Sequence, residues 1–136
     1  MKKLLLIGLT VLFVGCGKGT KQEYSLPNLL EKLKDPDPKI RYWAAKHLGH
    51  QGSKAADVVP TLTEALKDQD KLVRMGAAYA LAEIGPDAKP AVPALQNALK
   101  DNDAKVRKGA DYALKQIRKP RPKSPKGRMS AKSKPK

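Results

Sequence analysis

A unit of thirty-three residues occurs three times in succession, opening at Pro27, Pro60 and Pro93. Laid over one another without a gap, the copies agree in nine columns. Besides the prolines these are Leu29/Leu62/Leu95, Leu33/Leu66/Leu99, Lys34/Lys67/Lys100, Asp35/Asp68/Asp101, Asp37/Asp70/Asp103, Arg41/Arg74/Arg107, Ala44/Ala77/Ala110 and Leu48/Leu81/Leu114. Read forward from Pro60 and Pro93, 15 of 25 aligned positions are identical. Such self-similarity at a fixed period marks a repeat array, in which each unit buries its apolar face against its neighbours. That excludes most single-core folds before any other property is weighed.

Within each unit the apolar positions follow helical spacing. Leu26, Leu29, Leu30 and Leu33 share one face, as do Val59, Leu62 and Leu66 in copy two and Val92, Leu95 and Leu99 in copy three. The first helix is expected to run from about the opening proline, tolerated in a first turn, to the shared lysine. An Asp-x-Asp turn follows, and its second aspartate is the expected N-cap of the next helix, with Pro38 at the first helical position of copy one. Val73, Ala77, Ala80, Leu81 and Ile84, with Val106, Ala110, Ala113, Leu114 and Ile117, form the buried stripe of the second helix. Gly52 and Gly85 stand where a left-handed residue would end it. Aromatic residues make up 4% of the chain, so the core is aliphatic, which suits close helix packing. The expected fold is all-α: a short α-solenoid of three helix pairs over residues 26–118, with repeats at about 27–59, 60–92 and 93–118. Copy one departs from the others. His47 and Gln51 replace the alanine and isoleucine of the core stripe, and Tyr42-Trp43 replaces Met75-Gly76, as expected of an end repeat.

The pattern Pro-x-Leu-x-x-x-Leu-Lys-Asp-x-Asp, then Val-Arg-x-x-Ala-x-x-x-Leu, resembles the short HEAT-like repeats of the phycobilisome lyase proteins, over residues 26–117. The Trp-Leu-Gly-Tyr pattern of tetratricopeptide repeats is missing, and Thr61-Leu62-Thr63-Glu64-Ala65 lacks the histidine of an ankyrin start. The resemblance implies a ladder of ion pairs between turn aspartates and helix arginines: Asp37, Asp70 and Asp103 with Arg41, Arg74 and Arg107. It also implies that the second helices carry the binding face. The exposed column there is expected to include Tyr42, Lys46, Met75, Tyr79, Lys108, Tyr112 and Lys115. Tyrosine beside lysine suits a protein or anionic partner. On the sequence alone, Tyr79 and Tyr112 equally fit side chains packed between neighbouring helices.

The ends of the chain address localisation. Lys2-Lys3, the apolar run Leu4 to Val14 and Gly15-Cys16-Gly17 read as a signal peptide, residues 1–15, since eleven residues are too few to cross a bilayer. Phe13-Val14-Gly15-Cys16 resembles the bacterial lipobox, with Phe13 where that family has leucine. The resemblance implies lipidation of Cys16, the only cysteine, and a lipid-anchored place in the bacterial cell envelope. Gly17, where aspartate retains lipoproteins at the inner membrane, favours the outer membrane in a Gram-negative cell. Residues 16–25 are then the lipidated cysteine and a polar tether. At the other end, residues 118–136 hold nine of the chain's +15 charges and no acid; Lys2 and Lys3 account for two more, leaving +4 for the repeats. Four prolines and three serines in that stretch lead us to expect a disordered basic tail over 119–136. It suits an anionic polymer, nucleic acid or lipid surface, or serves solubility alone.

Catalytic constellations are not expected. The Asp-x-Asp turns are too short for a calcium loop, and His47 with His50, three apart on one helix, makes at most half a zinc site. Neither a metal site nor a cofactor is expected. HEAT-like deoxyhypusine hydroxylases bind iron through His-Glu pairs, and this chain contains no His-Glu dipeptide. The expected role is a non-enzymatic interaction scaffold with an unknown protein partner. Anionic-polymer binding through the tail is the alternative, and a lyase-like accessory subunit is more remote.

Overall fold

The structure is a computed structural model that describes residues 24–51 and 55–121. The described residues form six α-helices: α1 Leu26–Lys32, α2 Pro38–His50, α3 Ala55–Ala65, α4 Lys71–Ile84, α5 Val92–Ala98 and α6 Ala104–Arg118, with a 3-10 helix over Gly85–Ala91 before α5. No strand occurs among them. The second helices stack side by side, α4 between α2 and α6, while α1, α3 and α5 cover them as an outer layer. This is the expected two-layered α-solenoid.

The Asp-x-Asp turn works as two successive caps. The second aspartate accepts the backbone N–H two residues on, Asp37 from Lys39 at 2.8 Å, Asp70 from Leu72 at 2.7 Å and Asp103 from Lys105 at 2.8 Å. Each thereby satisfies a donor that a helix start leaves orphaned. The first aspartate accepts the N–H of the second, at 2.8 to 2.9 Å in all three copies. Gly85 closes α4 with φ of 70°, a backbone conformation that side-chain-bearing residues avoid. Gly52, its expected counterpart, lies outside the described residues.

The core follows the repeat columns. Leu29, Leu62 and Leu95 are fully buried, as are Leu48, Leu81, Ala44, Ala77 and Ala110. Glycines set the spacing of the second helices. A Cβ at Gly49 would stand 2.7 Å from the Ala80 Cα, one at Gly76 2.7 Å from the Tyr42 ring, and one at Gly109 3.2 Å from the Ala78 Cβ.

Two local expectations change. First, α3 begins at Ala55 and carries Pro60 in its interior instead of starting there. Proline withholds one helical hydrogen bond, but Val58, Val59 and Leu62 are buried on the face that α3 lays on the array, and that burial keeps the helix continuous. The stretch that leads into copy three, with Pro86 and Pro90, tightens into the 3-10 helix and buries Ala88 and Ala91. Second, Leu66 is buried but Leu99, in the same column, is 38% exposed, because no further described repeat covers it. Ile40 is 36% exposed, whereas Val73 and Val106 in its column are fully buried, because no described repeat lies before copy one.

Candidate protein-interaction face on the second helices

The interface between repeats is held by charge as well as by apolar contact, and here the expected pairing is corrected. The arginines do not pair with Asp37, Asp70 and Asp103, whose carboxylates face the start of their own helix as caps. Arg41 instead reaches forward one repeat to Asp68, with Nε at 2.9 Å and Nη2 at 3.0 Å. Arg74 reaches Asp101 in the same bidentate way, at 2.8 and 3.1 Å. In both, Nη1 donates to two carbonyls of the arginine's own turn, Asp35 and Pro36 for Arg41, Asp68 and Gln69 for Arg74. Arg107 keeps these carbonyl bonds, to Asp101 and Asn102, but meets no carboxylate among the described residues. Its place is the open end of the ladder.

Partial burial alone would raise the pKa of Asp68. Hydrogen bonds from Arg41 and from the Asp70 N–H, with the charges of Arg41 and Arg74, more than offset it and hold the carboxyl below its ordinary value. At Asp101 the hydrogen bond from Arg74 dominates, and that carboxyl too is lowered. The rungs are ionised, and each ties the second helix of one repeat to the Asp-x-Asp turn of the next.

The stacked second helices present the face expected to bind. Tyr42 and Lys46 on α2, with Met75 and Tyr79 on α4, line one shallow cleft of about 280 Å³, floored by Gly76 and Ala80 and closed by Glu83. Tyr42 is half-buried because its ring lies against Gly76. Tyr79 is 41% and Tyr112 48% exposed, yet their rings are 6.0 Å apart, so each tyrosine both packs on its neighbour and faces solvent. Lys108, Tyr112 and Lys115 lie on α6 outside the cleft, and Lys115 is held by Asp111 at 2.6 Å. Beside Glu83 the His50 Nδ1 approaches at 3.2 Å. Gly76, Ala80 and Glu83 were missed as lining residues. Their column in the repeat is the only sequence signal for them.

A second cluster, also unforeseen, sits at the start of the array. Trp43 packs against His47 at 4.2 Å and Tyr24 at 5.5 Å between ring centroids, and Lys32 Nζ lies 4.8 Å over the indole. Burial against these rings lowers the His47 pKa, helped by the charges of His50 and Lys46. His47 is a packing residue here. Among the described residues no group of three or more His, Cys, Asp or Glu side chains is placed to hold a metal ion, and no helix is long and apolar enough to cross a membrane. Cys16 and residues 122–136 lie outside the described residues. Of the basic stretch, Arg118, Lys119 and Arg121 are seen, all exposed, with Arg121 paired to Asp87.

The sequence pattern described as HEAT repeats matches residues 26–115, two thirds of the chain. The chain belongs to the HEAT repeat family. The solved structures similar to this HEAT protein include the complex of CpcE and CpcF of phycocyanin lyase from Nostoc sp. PCC7120, with 30% sequence identity and a TM-score of 0.63 over 76% of this chain. The match spans 40% of the lyase chain, so the HEAT protein corresponds to well under half of it. No curated protein matches it.

Proposed function

We propose that this HEAT protein is a lipid-anchored component of the bacterial cell envelope, held by Cys16, that acts as a protein-interaction scaffold and not as an enzyme. The observation that carries the scaffold reading is the exposed Tyr79–Tyr112 pair beside the Tyr42/Met75 cleft. Tyrosine and methionine offer large contact area on stiff or adaptable side chains, and such residues dominate the energetics of protein interfaces. The rungs Arg41–Asp68 and Arg74–Asp101 keep that face rigid, so little ordering entropy is lost on binding. The similar lyase structure is itself a complex of two proteins, which also favours a protein partner. Within this reading the basic residues from Arg118 onward add electrostatic attraction to an anionic surface.

The test is a photo-crosslinking amino acid at position 79 in the living cell, with partners identified by mass spectrometry. Tyr112→Ser is expected to weaken binding of the captured partner by about 2 kcal/mol, roughly thirty-fold in Kd. Truncation after residue 118 should leave it bound. A partner held equally well by the Tyr112→Ser chain and lost on truncation would refute the scaffold reading in favour of tail-mediated binding.

A further inference from the structure

A repeat array that ends in water closes with a polar outer surface. The first end of this one does not. The positions that in copies two and three lie beneath the preceding repeat are Val73 and Val106, fully buried, and Gly76 and Gly109, also buried. In copy one, with no described repeat before it, those columns hold Ile40, 36% exposed, and Trp43. Tyr24, 38% exposed, lies against Trp43. With Lys32, Asp35 and Lys39 the three line a wide depression of about 540 Å³.

A further HEAT repeat cannot dock there with the spacing of this array. Where a second helix meets the one before it the column is glycine in copies two and three, and even a Cβ would stand 2.7 Å from the Tyr42 ring at Gly76 and 3.2 Å from the Ala78 Cβ at Gly109. Trp43 fills the equivalent place with an indole. The end is therefore built for a cover that is not another packed helix pair.

We infer that this end, Tyr24, Ile40 and Trp43 rimmed by Lys32 and Lys39, rests on the phospholipid surface. The inference builds on the proposed lipidation of Cys16. Residues 17–24, eight in all, span at most about 28 Å however they are arranged, so an acylated Cys16 keeps Tyr24 within that distance of the headgroups. Tryptophan and tyrosine have an apolar body with a polar edge and settle at the membrane–water boundary, and lysine stems lie along apolar surface while the ammonium reaches phosphate. The depression carries little net charge: Lys32 and Lys39 line it with Asp35. Contact is driven by ring and aliphatic burial, not by net charge, so it differs from any attachment through the basic tail in being nearly insensitive to salt. The geometry also sets orientation. With the first repeat on the membrane, the repeats stack outward and the tyrosine face on α4 and α6 stands clear of the surface.

Trp43 is the only tryptophan of the chain, so its emission reports on this face alone. The full chain purified from membranes is reconstituted with phosphatidylcholine vesicles whose acyl chains carry bromine, which quenches nearby tryptophan. Vesicle flotation reads anchoring separately. Expected are flotation, quenching of Trp43 that persists in high salt, and loss of most of that quenching in Ile40→Lys, which still floats. Flotation without quenching would overturn the membrane-facing end and leave the lipid anchor standing. Failure to float, with Trp43 unquenched, would overturn both. A blue shift of Trp43 that grows with protein concentration in the absence of vesicles would show that a second copy covers the end instead, and would overturn the inference.

Discussion

Replacing Arg74 with methionine isolates one rung of the ladder, because Arg107 is its natural control. Both arginines donate Nη1 to two carbonyls of their own turn, but only Arg74 goes on to grip a carboxylate in the next repeat. Hydrogen bonds to charged groups contribute about 1.5–3 kcal/mol, and stranding one partner of a fully buried pair costs about 3–5 kcal/mol. Arg74 and Asp101 keep 18% and 13% of their side-chain surface, so water softens the penalty, and about 2–3 kcal/mol is expected for Arg74→Met. Arg107 is exposed and unpaired with any acid among the described residues, so Arg107→Met should cost less than about 1 kcal/mol. Urea unfolding followed by circular dichroism measures both. With a slope of about 1 kcal/mol per molar for a small domain, the midpoint should fall by about 2–3 M in the first variant and by less than about 1 M in the second. Acid supplies an independent reading. Asp101 has a folded pKa below its ordinary value, so the rung's contribution is complete above about pH 4 and is lost as pH falls through the folded value. The Arg74→Met chain, lacking the rung already, should lose less stability over that range. Equal losses in the two arginine variants, or acid sensitivity unchanged by Arg74→Met, would refute the ladder as the device that locks the repeats.

Gly76→Ala should destabilise by about 1–3 kcal/mol despite alanine's better helix propensity, because its Cβ meets the Tyr42 ring at 2.7 Å. In a Tyr42→Ala background the same change should be neutral or stabilising, as a double-mutant cycle of unfolding free energies will show. His47 has a pKa lowered from 6.5 by its burial against Trp43 and Tyr24, so the unfolded chain takes up the proton first and stability should fall as pH drops below about 6.5. His47→Phe should flatten the dependence of the urea midpoint between pH 7.5 and 5.

Much of the architecture is legible in the chain because its physics is local. An aspartate that accepts the N–H two residues on caps a helix whatever surrounds it, and an apolar stripe at helical spacing announces which face must be covered. Thus the repeat length, the helix pairs, the caps at Asp37, Asp70 and Asp103 and the buried columns Leu29/Leu62/Leu95 and Ala44/Ala77/Ala110 are all written in the sequence. The interior place of Pro60 was not, since propensity speaks for one turn while burial of Val58, Val59 and Leu62 acts on the whole of α3.

What only the tertiary structure decided concerns neighbours in space. Asp68 and Asp70 are the same residue type two positions apart. Which one receives Arg41 depends on the offset between stacked repeats, and it is Asp68, 27 residues away in the chain. Whether Tyr79 and Tyr112 pack or face outward depends on the spacing of α4 and α6, and at 6.0 Å between rings they do both. The character of the first end was hidden for the same reason. Ile40 stands in the column of Val73 and Val106, but burial belongs to the pair of surfaces, and copy one has no described repeat before it to supply the second.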